Sequence, residues 1–240
     1  MKIARGYFVT ATDTGAGKTF VAAALIQALV RAGWRVAALK PVASGCRRDA
    51  GALVSGDARR LHAQVNVPQS LQDMTQYAFA PAISPHLAAA TAGVRIGWAP
   101  IRAALRAQAR QADTVIVEGV GGWLAPLGSR ASVADLAVAL RLPVICVVGL
   151  RLGALNHALL TVQSIAAYGM PLAGFVVDVR DPRMAYRQGN IDTLKRAIDA
   201  PCLGIIPPGA SVRHAAGCLD LYPLLAVSSK RQRAAPKRCC

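Results

Sequence analysis

The sequence has few acidic and few aromatic residues. Asp and Glu number 12 against 28 Lys and Arg, which gives a formal net charge of +16, and aromatic side chains make up 5% of the 240 residues. Charged residues of both signs amount to only 17%, whereas 54% of the residues are hydrophobic. So much apolar side chain excludes a chain that is disordered throughout. The absence of a Gly-x-y or heptad register excludes a collagen or a coiled coil, and the length favours one domain.

Long apolar runs and metal-type cysteine spacings are missing as well. No run approaches the ~20 residues that a membrane-spanning helix needs. The apolar run after Arg5 soon meets Asp13, too early for a secretory signal. None of the six cysteines has a C-x-x-C partner or a histidine at zinc-ligand spacing. These features predict a cytoplasmic protein with no membrane segment.

The basic excess raises the possibility of a nucleic-acid partner. Five of the basic residues lie in residues 228–240, which contain no acid. We predict that residues 1–227 form the folded domain and that this tail is disordered. The other basic residues are mostly arginines scattered through alanine-rich helical stretches, which is typical of solvated helix faces. A dedicated nucleic-acid site is therefore not expected.

Short apolar runs alternate with helical patterns along the chain. Strands are predicted at residues 6–11, 35–39, 114–118, 144–149, 174–179 and 203–206, and helices at 18–32, 57–65, 99–111, 133–140, 155–168 and 190–198. The strands are nearly continuous Val, Ile and Leu runs, typical of strands buried on both faces. The alternation predicts a single α/β domain with a mainly parallel sheet and helices on both faces. Residues 43–56, rich in Gly, Ser and charge, are predicted to be a functional loop.

The segment between the first predicted strand and helix indicates phosphate binding. Its sequence from Thr12 to Thr19 is Thr-Asp-Thr-Gly-Ala-Gly-Lys-Thr. Backbone N–H groups at a helix N-terminus bind phosphate oxygens, a lysine reaches the β- and γ-phosphates, and a hydroxyl reaches Mg²⁺. The predicted nucleotide contacts are Thr14, Gly15, Ala16, Gly17, Lys18 and Thr19. The strict pattern has Gly at position 12, where this chain has Thr, so the segment departs from the standard phosphate loop.

Three charged residues stand at the ends of other predicted elements. Glu118 ends an apolar strand, and Gly119 and Gly121 after it allow the backbone to approach a ligand. A carboxylate in that position faces the crevice where open α/β sheets bind ligands. Asp57 stands at a predicted helix N-cap and Lys40 ends a strand, so a plain cap and a solvated strand end are alternatives for these two.

Together these segments resemble the dethiobiotin synthetases, a family of P-loop proteins. The resemblance covers residues 6–207 in the family's order, and its motifs are Thr-Asp-Thr-x-x-Gly-Lys-Thr at 12–19, Lys-Pro-Val-Ala-Ser-Gly at 40–45, Asp57, Ser-Pro-His at 84–86, Val-Glu-Gly-x-Gly-Gly-Trp at 117–123, Leu-Pro-Val-x-x-Val-Val-Gly at 142–149 and Leu-Gly-x-x-Asn-His-Ala at 152–158. The resemblance implies that 7,8-diaminononanoate, CO₂ and MgATP give dethiobiotin, ADP and phosphate. A substrate amine captures CO₂ as a carbamate, the carbamate attacks the γ-phosphorus, and the second amine closes the ring.

The resemblance also implies which residues take part. Lys18 and Lys40 would be catalytic, and Thr19, Asp57 and Glu118 would hold Mg²⁺. The diamine would contact Thr14 and Ser44, and its carboxylate tail would contact Asn156 from the second subunit of a homodimer. The remaining nucleotide contacts would be Asp57, Glu118, Gly119, Gly121, Asp178 and Pro207. Lys18 and Lys40 are expected at solvent-open ends of elements, so that replacing either would lower turnover and spare the fold.

The chain departs from the family pattern at several positions. Ala11 replaces a common Gly, Gly15 a common Glu, and Asn190 a Tyr that helps to bind the substrate tail. Asp178 replaces a common Asn. Because an ionised Asp only accepts hydrogen bonds, we predict a weaker or broader nucleotide preference, in which ATP and CTP are still favoured.

Three other functions are alternatives to this one. A partitioning-type ATPase switch carries an additional lysine early in its loop, and residues 11–17 contain none. The synthetase half of a cobyrinate-type amidotransferase needs a glutaminase domain for which 240 residues leave no room. A basic nucleic-acid-binding module would bind DNA in a salt-dependent way without the tail.

Overall fold

The computed structural model describes residues 6–224, and the predicted disordered tail lies outside them. The strands are β1 (Gly6–Ala11), β2 (Val36–Leu39), β3 (Val42–Ala43), β4 (Arg47–Asp49), β5 (Ala52–Val54), β6 (Tyr77–Ala78), β7 (Thr114–Glu118), β8 (Val144–Leu150), β9 (Leu172–Val179) and β10 (Cys202–Ile206). The helices are α1 (Lys18–Arg31), α2 (Gly56–His62), α3 (Leu71–Met74), α4 (Pro85–Thr91), α5 (Trp98–Gln111), α6 (Val133–Leu140), α7 (Ala154–Ala167), α8 (Arg187–Ala197) and α9 (Val212–Gly217).

A six-stranded sheet forms the centre of the molecule, in the order β10-β9-β8-β1-β7-β2. Every neighbouring pair in this sheet is parallel. Strand β1 therefore lies between β8 and β7, and β7 lies between β1 and β2. Because parallel strands end at the same edge, the segments after β1, β2 and β7 meet there. The order along the sheet reverses at β1, and such a switch point is where open α/β sheets bind ligands.

Helices cover both faces of the sheet, as predicted. Phe8 and Val9, adjacent on β1, are both fully buried, and they belong to different apolar clusters. The Phe8 cluster joins the sheet to α5, α6, α7 and α8, and the Val9 cluster joins it to α1, α2, α3 and α9. Burial on both faces explains why the strands are continuous apolar runs.

The six predicted strands and six predicted helices are confirmed, with ends shifted by a few residues. Strands β3 to β6 and helices α3, α4 and α9 were not predicted. Within the predicted loop 43–56, β4 and β5 form an antiparallel hairpin around Ala50 and Gly51, which both have positive φ. Its strands have three residues each and only exposed or half-buried side chains, so no apolar run marks them. In the described part of the chain, no helix has the length and apolarity to cross a bilayer.

Candidate active site

The phosphate-binding loop joins β1, the strand at the switch point, to α1. Gly15 and Gly17 have φ of 76° and 94°, conformations that residues with a Cβ rarely adopt. Helix α1 begins at Lys18, and no side chain caps the helix at Gly17. The first backbone N–H groups of α1 therefore have no side-chain acceptor and face the carboxyl edge of the sheet, where a phosphate group would accept their hydrogen bonds.

Neighbouring strands hold the loop so closely that two glycines are required. A Cβ on Gly17 would lie 1.9 Å from Oδ2 of Asp178, at the end of β9. A Cβ on Gly149, in β8, would lie 2.8 Å from Cα of Ala16. The loop is therefore packed tightly against the sheet on this side.

Lys18 is buried, which corrects the expectation that it lies at a solvent-open helix end. Burial, together with the nearby Lys40, lowers the pKa of Lys18 to about 8, against the opposing effects of Glu118 and Asp57. A buried ammonium with a depressed pKa gains stability when an anion binds beside it. The position and the electrostatics of Lys18 therefore fit a phosphate ligand.

Lys40 forms the centre of a buried polar cluster. It was expected at a solvent-open strand end, and this expectation is also wrong. Its Nζ lies 2.6 Å from Oε1 of Glu118 and 3.0 Å from Oδ2 of Asp57, and it donates to the backbone carbonyl of Gly119 over 2.9 Å. The hydroxyl of Thr19 donates to the same Oε1 of Glu118 over 2.7 Å. Burial would lower the pKa of Lys40, but Glu118 and Asp57 outweigh this effect and raise it above its ordinary value.

Besides Thr19 of α1, residues of three other elements form this cluster. Lys40 directly follows β2, and Glu118 ends the adjacent strand β7. Asp57 is in the first turn of α2, where Ser55 and not Asp57 is the N-cap: the hydroxyl of Ser55 accepts from the backbone N–H of Ala58. The predicted cap is therefore wrong, and the Asp57 carboxylate pairs with Lys40 instead. Burial tends to raise the pKa of Asp57, but Lys40 lowers it below its usual value.

The oxygen atoms of this cluster fit Mg²⁺. Within residues 6–224, no group of three or more His, Cys, Asp or Glu side chains is arranged to hold a metal. Thr19, Asp57 and Glu118 instead offer one hydroxyl and two carboxylates, and Mg²⁺ commonly takes one or two carboxylates together with waters and phosphate oxygens. Oε2 of Glu118 is buried without a hydrogen-bond partner. This oxygen therefore has a free lone pair for a cation.

Asp178 lies at the other side of the phosphate loop. Its side chain is buried, and one oxygen accepts a hydrogen bond from Arg180 over 3.2 Å. Burial raises the pKa of Asp178, although Arg180 opposes the shift. Arg180 was not predicted as a site residue. It stands two residues after Asp178 at the end of β9, and side chains two residues apart on a strand point to the same face. Sequence reasoning also missed Arg151, which follows β8 and forms a salt bridge with Asp13 of the loop.

The other predicted residues lie at different distances from the cluster. Oγ of Ser44 is buried without a hydrogen-bond partner, four residues after Lys40. Thr14 is exposed on the phosphate loop, and Gly121 has a φ of 64° in the turn after Glu118. Pro207 directly follows β10 and is half-buried. Asn156 is exposed near the start of α7, and no contact joins it to Lys40 within the described part of this chain.

These features define the class of protein. A P-loop nucleotide-binding protein is characterised by a parallel sheet with a glycine loop at its switch point, a buried lysine that opens α1, and an acidic residue at the end of the neighbouring strand, here β7. A family model described as an AAA domain matches residues 5–216.

Curated relatives identify the family within that class. The chain is 48% identical over 225 residues to the ATP-dependent dethiobiotin synthetase BioD of Pseudomonas aeruginosa (strain UCBPP-PA14), covering 91% of this chain and 97% of the relative. It is 49% identical over 221 residues to that of Ralstonia nicotianae, covering 91% and 96%. The chain therefore belongs to the dethiobiotin synthetase family. It is an enzyme of the ligase class that forms dethiobiotin at the expense of ATP.

Solved structures of other P-loop proteins share the fold. The MinC:MinD cell division protein complex of Aquifex aeolicus matches with a TM-score of 0.54 and 12% identity, covering 99% of this chain and 98% of that one. A ParA family ATPase from Chlorobium tepidum matches with a TM-score of 0.53 and 15% identity, covering 95% and 94%. At such low identity these likenesses establish the fold alone.

Proposed function

We propose that the Lys40 cluster and the phosphate loop together carry out the carboxylation and ring closure of 7,8-diaminononanoate with CO₂ and MgATP. The observation that carries this proposal is the position of Lys40. Its ammonium group is buried at the carboxyl edge of the sheet, in contact with two carboxylates and next to a second buried lysine. The site thus contains two ammonium groups and two carboxylates. It suits a reaction in which negative charge moves between two oxyanions.

The nucleotide is held by the loop of residues 14–19. Backbone N–H groups bind the phosphates, and Lys18 offsets their charge at the transferred group. Thr19, Asp57 and Glu118 would hold Mg²⁺, which when bound would offset negative charge on the phosphates. Asp178 lies on β9 and Pro207 directly follows β10, and both contact the base. Gly119 and Gly121 let the turn after β7 approach the phosphates closely.

The diamine is positioned by the segment that follows β2. Lys40 stabilises the negative charge of the carbamate and of the phosphoryl group, and the unpaired Oγ of Ser44 hydrogen-bonds the reacting amine or carbamate. Thr14 contacts the substrate from the loop. Phosphoryl transfer needs positioning and charge stabilisation more than covalent help, so this chemistry requires no nucleophilic side chain of the protein. The carbamate oxygen attacks the γ-phosphorus and releases ADP, and the second amine then displaces phosphate.

We also propose that the enzyme works as a homodimer, with Asn156 binding the carboxylate tail of a substrate held by the other subunit. The segment around Asn156 carries large apolar side chains in an exposed position: Leu152 is 92% exposed and Leu160 57%. A contact between subunits would bury them. The predicted cytoplasmic location stays a prediction.

The dimer can be tested by sedimentation equilibrium. Leu160→Glu should shift the wild-type dimer towards a monomer. The matched control is Leu87→Glu, at an exposed apolar position of α4 (51% exposed), which should leave the dimer intact. A wild-type protein that is monomeric at the concentrations used in the assay would contradict the proposal.

The activity can be tested by phosphate release and mass spectrometry of the product. With diaminononanoate and bicarbonate as the source of CO₂, wild type should form dethiobiotin, and Lys18→Ala should lower turnover by orders of magnitude. Lys195→Ala removes an exposed lysine of α8 and should behave as wild type. ATP hydrolysis that does not depend on the diamine would contradict the proposal and favour an ATPase switch.

A further inference from the structure

A cleft lined by arginines opens beside the candidate active site. It lies between the β4–β5 hairpin and α2 and has a volume of about 670 Å³. Arg47 and Arg48 line it from β4, and Arg59 and Arg60 line it from α2. Among its lining residues, all within the described part of the chain, Asp49 is the single acid. The cleft therefore has a strong excess of positive charge.

The shape of the cleft is fixed by backbone and by an ion pair. Ala50 and Gly51, with φ of 47° and 85°, form the tight turn of the hairpin. The carboxylate of Asp49 on the hairpin accepts a hydrogen bond from Arg59 on the helix. An exposed pair of this kind contributes little stability, but it ties one wall of the cleft to the other.

Three of the four arginines are left without a counter-charge. Asp49 is matched by Arg59. Within residues 6–224, Arg47, Arg48 and Arg60 form no salt bridge. The guanidinium of Arg48 reaches only the backbone carbonyl of Gly51, at 3.4 Å. Like charges gathered in one concavity repel each other, and an anion placed among them removes that repulsion.

We propose that this cleft binds a small, multiply charged oxyanion, such as a phosphate or pyrophosphate group, at a site separate from the phosphate loop. Guanidinium groups bind such oxygens through paired, charge-assisted hydrogen bonds. Three unmatched cations favour a dianion or a higher charge over a single carboxylate. The volume lies in the range of ~300–1,000 Å³ that is typical of small-molecule sites.

The cleft is separate from the phosphate loop and adjoins the segment that contains Ser44 and Asp57. Its lining includes no residue of the phosphate loop. It does include Gly45 and Gly56, which adjoin Ser44 and Asp57 in the sequence. A bound oxyanion therefore lies against the segment that carries both of these site residues. The proposal does not depend on the identity of the diamine substrate.

Pyrophosphate binding to the full chain, measured by calorimetry at low ionic strength, tests the proposal. Because the phosphate loop is another place for pyrophosphate, every protein in the series carries Lys18→Met. Arg47→Ala/Arg60→Ala should lose about tenfold or more in affinity, since two charge-assisted contacts disappear. The matched control is Arg102→Ala/Arg106→Ala, which removes the same charge from exposed positions of α5 and should bind as the parent does.

Three outcomes would overturn the proposal. One is the absence of pyrophosphate binding at millimolar concentration in the parent protein. Another is an equal loss in both double variants, which would mean that net charge and not the cleft attracts the anion. Thermal unfolding of each variant checks the fold, and Arg60→Gln alone, which should also weaken binding, provides a second test. Binding of duplex DNA through the same arginines, tighter than that of pyrophosphate, would also refute a small-anion site.

Discussion

Replacing Lys40 by methionine should destabilise the fold as well as stop catalysis. The ammonium of Lys40 is 2.6 Å from Glu118 and 3.0 Å from Asp57. Methionine keeps much of the apolar length but leaves the Glu118 carboxylate, whose side chain is 0% exposed, without its counter-charge. A buried charge that loses its partner is among the few changes that cost several kcal/mol.

The size of the effect follows from the burial of the two carboxylates. Breaking a buried ion pair costs about 3–5 kcal/mol. Because the side chain of Asp57 is 39% exposed, water can replace Lys40 there and this pair adds little. We therefore expect the free energy of unfolding to fall by about 3 kcal/mol, which lowers the Tm of a chain of this size by roughly 6–12 °C.

Urea and thermal unfolding without nucleotide measure this loss. The double variant Lys40→Met/Glu118→Gln should be more stable than Lys40→Met, since it removes the stranded charge. The exposed substitution Lys195→Met serves as the control and should change stability by less than about 0.5 kcal/mol. A Lys40→Met protein as stable as this control, or a double variant no more stable than Lys40→Met, would refute the reasoning.

Four further predictions concern the residues around the phosphate loop. The pKa of Lys18, lowered to about 8 by burial and by Lys40, should rise when phosphates bind. ADP binding at pH 8 should therefore take up part of a proton, and binding near pH 6 should take up none at this residue. Calorimetry in buffers of different ionisation enthalpy measures the proton uptake, and equal uptake at both pH values would contradict the prediction. Gly17→Ala should abolish nucleotide binding, because its Cβ would overlap Asp178, and undiminished ADP binding by fluorescence titration would show that the loop can move aside. Asp178→Asn should raise the free energy of unfolding at pH 7, because burial raises the pKa of Asp178 and its ionised form is disfavoured in the folded state. The gain should vanish as the pH falls below the ordinary value of 3.8, and destabilisation at pH 7, measured by urea unfolding, would contradict it. In steady-state assays of the wild type, ATP and CTP should be used faster than GTP, whereas a strict preference for ATP would contradict the predicted role of Asp178.

The strands of the sheet could be predicted because each one carries its signal in its own residues. Strands such as β1 and β8 are buried on both faces, so each is a continuous apolar run that needs no knowledge of its neighbours. The β4–β5 hairpin offers no such signal, because its strands are short and are not buried. The turn at Ala50 and Gly51 is also hard to recognise, since alanine seldom adopts a positive φ.

The candidate site was predictable in its residues and less so in its electrostatics. Motif spacing identified Lys18, Lys40, Asp57 and Glu118, and all four lie together. The expected solvent-open positions of both lysines were wrong, and the alternative of a plain N-cap for Asp57 does not hold, because Ser55 is the N-cap. Burial and ion pairing depend on which segments fold over a residue, and Lys40 is covered by the turn after β7 and by α2 from elsewhere in the chain.

The sequence by itself determined the fold class, the phosphate loop and the family, because short-range patterns of apolar residues, glycines and charges carry that information. The sequence also determined the formal net charge of +16. Two of the lysines that contribute to it, Lys18 and Lys40, lie in the candidate site. Only the tertiary structure decided the rest. Lys40 became the buried partner of two carboxylates, and four arginines from a hairpin and a helix came to line one cleft. Both results depend on residues that are distant in sequence, and electrostatic energy depends on distance and burial in three dimensions.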